Sequence, residues 1–171
     1  AKADNHKRLS YIFIIPENLI IAIMGGDSVK RSEIVKEAEG WIGTKWQHQQ
    51  ATKQVACDCA GLARGVYANL TGTQVEIMDY PATWHLFKKE ERLYETCKEI
   101  MDEIRLSDIK AGDILLFAFR PSFVCHHLGI YTGKGTFIHS DMDAGKVIVS
   151  RLDSFWKSRL RCAFRFREVE D

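Results

Sequence analysis

Hydrophobic side chains change their spacing about midway along the chain, from a helical period to a strand period. In the first half, apolar residues recur three or four positions apart, which is typical of helices with one buried face. This spacing predicts three helices, at 28–40, 59–70 and 87–104. The first has a capping Asp27 or Ser28 and a terminating Gly40, and the second stops near Gly72.

The second half consists of short apolar or alternating runs, which are typical of strands. The predicted strands are 113–119, 124–132, 136–139, 147–149 and 162–166. Glycine-containing turns at 110–113 and 131–135 separate some of them, because glycine supplies the positive φ angles of tight turns. We therefore predict an α+β fold, with a helical N-terminal half packed on an antiparallel sheet of about five to six strands.

The length of 171 residues, without an internal repeat or a linker, fits a single domain. We expect that domain to occupy 26–171 and to follow an N-terminal extension over 1–25, which is either an addition to the natural chain or an added strand. The apolar run 11–24 imitates a signal peptide, but Pro16 interrupts it and no cleavage site follows. It is also too short to span a membrane. We expect synthesis in the cytoplasm without a signal peptide, and no stable membrane insertion.

The composition excludes several classes of protein. With 46% hydrophobic and 27% charged residues, the chain resembles an ordinary globular protein and not a disordered or fibrous one. Its 24 basic and 23 acidic residues are mixed along the chain and give a net charge of +1. No basic face is apparent, so a nucleic-acid partner is not expected.

The cysteines favour reduced thiols over a disulfide framework, because their number is odd and their spacing irregular. The five are Cys57, Cys59, Cys97, Cys125 and Cys162. Cys59 is distinct, since it lies in the first turn of a predicted helix. There, the unpaired N–H groups and the helix dipole favour a thiolate and lower the pKa of a cysteine. Cys59 is therefore a candidate nucleophile.

A cysteine nucleophile needs a partner that takes and returns a proton, and histidine suits this role near neutral pH. Alternation along the predicted strand 124–132 separates two candidates. It places His127 on one face, with Gly129 and Tyr131, and His126 on the more apolar face. His139 follows His127 by 12 residues across a glycine turn, so a hairpin can bring the two imidazoles together. One ring could then fix the tautomer of the other.

Four motifs in this order resemble the NlpC family of papain-like cell-wall cysteine peptidases. They are CDCAGLARGVY at 57–67, KAGDILLF at 110–117, HLGIY at 127–131 and FIHS at 137–140. The resemblance extends from about 34 to about 166. The segment WIGTKWQHQ at 41–49 is similar in particular to the branch found in phage tails and phage-like particles.

The resemblance implies a papain-like fold and hydrolysis of peptide stems in bacterial peptidoglycan, commonly between D-glutamate and a diamino acid. Without the resemblance, the residues indicate only an amide or ester hydrolase. The resemblance also implies action at the cell wall without a cofactor, with the stem peptide as substrate. A phage-tail or phage-like particle assembly is a further expected partner.

The resemblance places the family's catalytic cysteine on Cys59, its histidine on His127 and its third polar residue on His139. Many members carry a tyrosine about a dozen residues before the cysteine, where this chain offers Trp46, Gln47 and His48. We expect the oxyanion donors to be the backbone N–H of Cys59 and a side chain of Gln47 or His48. We also expect Asp58 to help bind the free amine of the substrate.

Other interpretations of these residues stay open. His139 could be a buried core histidine, with Asp141 or Asp143 orienting the base. Cysteines 57 and 59 with histidines 126 and 127 could bind a metal. Zinc ligands, however, usually come in two pairs with other spacings, so we expect no metal site. Cys97, Cys125 and Cys162 are expected to be small buried hydrophobes. The tryptophans are expected to pack in the core or at its rim. At the level of function, the alternatives are an amidase or acyltransferase on the same scaffold, or a structural phage-tail component with an idle site.

Overall fold

The computed structural model describes residues 10–12, 28–77, 79, 81–83, 90–120 and 122–170. Within these residues the helices are α1 (Arg31–Glu39), α2 (Cys59–Thr71), α3 (Arg92–Ile100) and α4 (Ser154–Lys157). The helix predicted over 87–104 is therefore too long at its C-terminal end. Met101–Ile104 is a strand, because its backbone pairs with the last long strand of the sheet. The start of that predicted helix lies outside the described residues.

The central sheet has nine strands. The five predicted strands form its middle, as β8 (Ile114–Ala118), β9 (Cys125–Tyr131), β10 (Thr136–Asp141), β11 (Lys146–Arg151) and β12 (Leu160–Phe166). The expectation of five to six strands is too low. Four short strands, too short to show alternation, extend the sheet: β3 (Lys45–Trp46), β4 (Ala51–Thr52), β5 (Ala56–Cys57) and β7 (Met101–Ile104). The order across the sheet is β4-β5-β3-β11-β10-β9-β8-β12-β7.

Two further pairs of strands lie outside the central sheet. β1 (Ser10–Ile12) pairs in parallel with β6 (Thr73–Val75), and β2 (Val29–Lys30) pairs in parallel with β13 (Val169–Glu170). The predicted N-terminal extension thus contributes one described strand. The remainder of that extension, apart from these three residues, lies outside the described residues. No helix among the described residues is long and apolar enough to cross a membrane.

The sheet is covered on both faces, and β8 shows this most clearly because all five of its residues are buried. Ile114 and Leu116 join the larger core beneath helices α1, α2 and α3. Leu115 and Phe117 join a smaller core on the opposite face, against Trp156 of α4. The catalytic candidates lie where α2 meets β9.

The start of α2 is fixed by its own sequence. Asp58 is the N-cap, and its carboxylate accepts a hydrogen bond from the backbone N–H of Gly61 at 2.7 Å. Gly61 itself lets the helix approach the neighbouring loop, since a side chain there would collide with the backbone carbonyl of Gln50. At the other end, Gly72 closes the helix with a φ of 74°. These contacts place Cys59 at the first position of α2.

Candidate active site

Cys59 faces strand β9 from the first turn of α2. The backbone N–H groups of Leu128, Ala60 and Cys59 itself lie near its sulfur and act to lower the pKa of the thiol. Leu128 directly follows His127 in β9, so the thiol lies beside the strand that carries the predicted base. The side chain of Cys59 is half-buried, whereas the other four cysteines are buried.

His127 and His139 meet through their imidazoles, as the hairpin prediction requires. Nε2 of His127 lies 2.9 Å from Nδ1 of His139, and the rings are nearly perpendicular at 82°. Gly129 makes room for this arrangement, because a side chain there would press on Cβ of His139 and on the ring of Phe137. The prediction that the 12-residue interval brings the two rings together is confirmed.

Ser150 adds a third side chain to this pair of histidines, and it was not predicted as a site residue. Its Oγ lies 2.9 Å from Nε2 of His139. If Nε2 of His139 donates to Ser150, then Nδ1 of His139 accepts from Nε2–H of His127. That tautomer leaves Nδ1 of His127 with a lone pair, which a general base needs. The sequence pattern closest to Ser150 is the predicted strand 147–149, which ends one residue before it. Extending that strand by one residue would have included Ser150.

Asp141 is a weaker candidate than His139 for orienting the base. Its Oδ2 lies 3.9 Å from Nδ1 of His139, and its Oδ1 accepts a hydrogen bond from the backbone N–H of Ala144 at 2.7 Å. Asp143 is exposed. His139 is fully buried and contacts His127 directly, so its position fits an orienting role.

Trp156 forms an apolar wall beside the two histidines. Its ring centroid lies 5.7 Å from that of His127 and 5.2 Å from that of His139. It also contacts the rings of Phe117 at 4.9 Å and Phe137 at 5.0 Å. The expectation that tryptophans pack in the core or at its rim is confirmed for Trp156. Its place beside the two histidines was not predicted.

Burial keeps both histidines neutral. It holds the pKa of His127 well below its usual range, and the neighbouring His139 and His126 act in the same direction. Burial also lowers the pKa of His139 to about 4, although the carboxylate of Asp141 acts in the opposite direction. Both rings are therefore uncharged near neutral pH and able to exchange hydrogen bonds as donor and acceptor.

The thiol of Cys59 is also neutral at rest. Burial, with a further contribution from the Asp58 carboxylate, raises the pKa of Cys59 to about 12. The three backbone N–H groups act in the opposite direction, as expected at a helix N-terminus, but they do not outweigh the loss of solvation. The expectation of a lowered pKa is thus wrong for this site.

The four residues suggested around the nucleophile differ in their surroundings. Asp58 is buried, and besides Gly61 it accepts a hydrogen bond from the backbone N–H of Gln49 at 2.6 Å. Nδ1 of His48 lies 3.5 Å from Oδ2 of Asp58, so the His48 ring is held close to the start of α2. Trp46 is half-buried in β3 and Gln47 is exposed. Their roles in oxyanion or substrate binding stay predictions.

The remaining cysteines occupy the core, as expected. Cys97, Cys125 and Cys162 are all buried within the larger hydrophobic cluster, together with Cys57. In the part of the chain that the structure describes, no three His, Cys, Asp or Glu side chains converge as metal ligands would.

Residues 43–165 match the NlpC/P60 family. The murein DD-endopeptidase/murein LD-carboxypeptidase MepS of Escherichia coli K12 is 24% identical over 135 residues, which are 79% of this chain and 62% of MepS. The gamma-DL-glutamyl hydrolase of Bacillus subtilis is 28% identical over 134 residues, or 78% of this chain and 29% of that protein. The chain therefore spans less than two thirds of the length of these relatives.

Solved structures agree with this match. The NlpC/p60 domain of the peptidoglycan hydrolase SagA aligns with a TM-score of 0.55 and 25% identity, over 81% of this chain and 100% of that domain. A Bacillus cereus NlpC/P60 protein aligns with a TM-score of 0.60 and 16% identity, over 81% of this chain and 41% of that protein. The predicted α+β, papain-like class is confirmed, whereas the phage-tail branch stays a prediction. With four motifs in order and a matching fold, the chain belongs to the NlpC/P60 family.

Proposed function

We propose that this protein is a cysteine peptidase that hydrolyses the peptide stems of bacterial peptidoglycan through a thioester on Cys59. The hydrogen-bonded row of His127, His139 and Ser150, beside a thiol at a helix N-terminus, is the observation that carries the proposal. Nucleophile, base and orienting group are the three parts that acyl transfer by a cysteine requires.

The first half of the reaction forms the thioester. As the sulfur of Cys59 attacks the scissile carbonyl carbon, its proton passes to Nδ1 of His127. The imidazolium that results is stabilised by Nδ1 of His139, which accepts a hydrogen bond from Nε2–H of His127. When the carbon–nitrogen bond breaks, His127 returns that proton to the leaving amine. The acyl part of the peptide then remains on Cys59.

The second half releases the acyl product. His127, neutral again because its pKa is low, takes a proton from a water molecule that attacks the thioester carbonyl. The carbon–sulfur bond breaks, a carboxylic acid forms, and Cys59 recovers its proton from His127. Each step uses only this chain and water, so we propose no cofactor.

We assign the cleaved bond as the one between D-glutamate and a diamino acid. Two observations support this assignment: the match to the NlpC/P60 family and the name of the Bacillus subtilis relative, a gamma-DL-glutamyl hydrolase. The name of MepS, a murein DD-endopeptidase, supports peptidoglycan as the substrate but describes a different bond. In a γ-glutamyl bond the side-chain carboxyl is the acyl donor, and the α-carboxylate of the glutamyl residue stays free.

Negative charge on the carbonyl oxygen needs donors that are already aimed at it. We assign the backbone N–H of Cys59 as one donor and the ring of His48 as the other. His48 is preferred to Gln47 because Asp58 holds its ring near the helix start. Asp58 already accepts two backbone hydrogen bonds, so an amine of the substrate would share its carboxylate with the helix cap.

The alternatives differ in what the site does with its acyl group. An amidase or acyltransferase would use the same thioester with another donor or acceptor. A structural component of a phage tail or phage-like particle would need no reaction at all, and the hydrogen-bonded row of His127, His139 and Ser150 beside the Cys59 helix argues against an idle site. We place the action of the enzyme at the cell wall.

Digestion of purified muropeptides, followed by mass analysis, tests the proposal. The wild-type protein should add one water to each stem peptide cleaved, with the new carboxyl on D-glutamate. Cys59→Ala should release nothing, whereas the control Cys162→Ala, which alters a buried thiol of β12, should retain activity. Equal release by the wild type and Cys59→Ala would overturn the proposal. A transfer product in place of a hydrolysis product would favour the acyltransferase.

A further inference from the structure

Three exposed phenylalanines form a patch around one arginine on the side of β9 and α4. The exposed fractions of the side chains are 55% for Phe119, 45% for Phe123 and 54% for Phe155. We call these rings together with Arg159 the aromatic–arginine surface. Single exposed hydrophobic residues are common, but several large ones in one patch usually mark a surface that binds something.

Ring contacts connect this surface to the candidate active site. The contacts that reach the base come from α4: the centroid of Phe155 lies 5.5 Å from that of Trp156, which lies 5.7 Å from that of His127. Phe119 lies beside the strand that carries His127, with its centroid 6.5 Å from that of His126. A substrate whose scissile bond lay against His127 could therefore extend over these rings without leaving the protein.

Arg159 is held by aromatic rings and not by a carboxylate. Its guanidinium carbon lies 3.6 Å from the centroid of Phe155 and 5.8 Å from that of Phe119. Its Nη1 donates to the backbone carbonyl of Phe155 at 3.0 Å and to Oγ of Ser158 at 3.4 Å. Among the described residues, no Asp or Glu lies within ion-pair distance of Arg159. The cation is oriented, yet its charge is not neutralised.

An oriented guanidinium beside exposed rings matches one chemistry in particular, a peptide carboxylate flanked by C–H groups. Guanidinium and carboxylate form paired, charge-assisted hydrogen bonds, and the rings can cover the aliphatic part of the same peptide. The proposed substrate offers such a carboxylate next to its scissile bond, because a γ-glutamyl linkage leaves the α-carboxylate free. A diamino acid or a chain terminus offers others.

We propose that the aromatic–arginine surface is a substrate subsite that binds a carboxylate-bearing segment of the peptide adjoining the scissile bond. Arg159 pairs with the carboxylate, while Phe119 and Phe155 cover the aliphatic atoms beside it. The identity of the ligand in this inference rests on the proposed peptidase function. The test is independent of that function, because binding can be measured without turnover.

The test uses the full chain carrying Cys59→Ala, so that the peptide is bound but not cleaved. The probes are the tripeptide L-Ala-γ-D-Glu-L-Lys with both carboxylates free, the same peptide with the glutamyl α-carboxylate amidated, and the same peptide with the C-terminal carboxylate amidated. Calorimetry measures each dissociation constant. Adding Arg159→Gln should weaken binding of the unmodified peptide about tenfold. It should leave unchanged the binding of whichever amidated peptide lacks the recognised carboxylate.

Control variants separate charge from general damage to the surface. Arg151→Gln makes the same chemical change at an exposed position of β11 that takes no part in these ring contacts, and it should not alter binding. Phe155→Ala should weaken binding of all three peptides, because it removes a ring that covers the aliphatic atoms common to them. Thermal unfolding within a few degrees of the parent would confirm that each variant is folded.

The inference is overturned if Arg159→Gln binds the unmodified peptide as tightly as the parent does. It is also overturned if the wild type self-associates through Phe155, so that a second copy and not a peptide covers the surface. The two proposals fail separately. If the peptide binds in a way that depends on Arg159 but the wild type does not cleave it, only the proposed peptidase function is rejected. If the wild type cleaves the peptide and Arg159→Gln changes neither kcat nor KM, only the proposed subsite is rejected.

Discussion

The two halves of the active site are assembled in different ways. The half that carries Cys59 is local: Asp58 caps the helix through Gly61, only three residues away, and the helix start then determines where the thiol lies. The half that carries His127 is long-range. It needs three strands in register, because His127, His139 and Ser150 come from β9, β10 and β11 in turn.

This difference predicts how each half should respond to mutation. Changes in the local half should affect the thiol and the stability of α2 while leaving the base in place. Changes in the long-range half should affect proton transfer, since each ring depends on the next one for its tautomer. Four experiments, from the largest expected effect to the smallest, test this contrast.

The largest effect should come from His127→Ala, which removes the base. General-base catalysis typically contributes a factor of about 10² to 10⁴, so kcat on muropeptides should fall by about a thousandfold. His126→Ala is the matched control, because it alters the adjacent histidine of the same strand, and it should retain kcat within a few fold. A larger loss for His126→Ala than for His127→Ala would mean that the base has been assigned to the wrong histidine.

The second effect is a loss of stability in acid. The pKa of His139 is about 4 in the folded protein and near 6.5 in an unfolded chain, so only the unfolded state gains this proton between those values. The free energy of unfolding should be highest above pH 6.5, where His139 is neutral in both states. It should fall by about 3 kcal/mol between pH 6.5 and 4. His127 acts in the same direction.

Urea denaturation across pH measures this stability. The variant His139→Gln should show a shallower decline than the wild type over the same interval, because the variant no longer carries the His139 ring. Identical slopes for the two proteins would contradict a buried, neutral His139.

A smaller effect is expected for Ser150→Ala, which leaves Nε2 of His139 without its partner. Loss of one orienting hydrogen bond of about 1 to 1.5 kcal/mol should lower kcat about tenfold with little change in KM. Ser150→Thr keeps the hydroxyl and should restore most of the rate. If both variants behave as the wild type does, Ser150 does not act through His139.

The smallest effect lies in the local half, at Asp58. Asp58→Ala should cost about 1 to 2 kcal/mol of unfolding free energy, because the helix cap is lost. Asp58→Asn keeps an oxygen for the N–H of Gly61 and removes the negative charge that raises the pKa of Cys59. Asp58→Asn should therefore react faster than the wild type with iodoacetamide near pH 8, and a slower reaction would contradict the assigned role of the charge.

The position of Cys59 and the pairing of the two histidines could be predicted from the sequence, whereas the groups that surround the histidines could not. Cys59 could be placed because the spacing of Leu62, Val66 and Leu70 marks α2. His127 and His139 could be paired because the glycine turn between them indicates a hairpin. Ser150 and Trp156 could not, since their contacts depend on the register of β11 and on how α4 folds back over the sheet.

Two further differences between the predictions and the structure also arise from contacts with other segments of the chain. The helical pattern over 87–104 continued into a segment whose backbone instead pairs with β12, so tertiary pairing overrode local spacing. The helix N-terminus was expected to lower the pKa of Cys59, but burial outweighs its N–H groups. Periodicity describes the neighbours of a residue along the chain, whereas solvation and register depend on neighbours from other segments.

The covalent intermediate offers the most direct test of the central claim that Cys59 and His127 act together. Rapid quenching of the wild type in acid during turnover of L-Ala-γ-D-Glu-L-Lys, followed by peptide mapping, would locate any thioester. The account predicts an L-Ala-γ-D-Glu adduct on Cys59 that neutral hydroxylamine removes, and no detectable adduct in His127→Ala over the same interval. Product release without an adduct on Cys59, or an adduct on another cysteine, would contradict it.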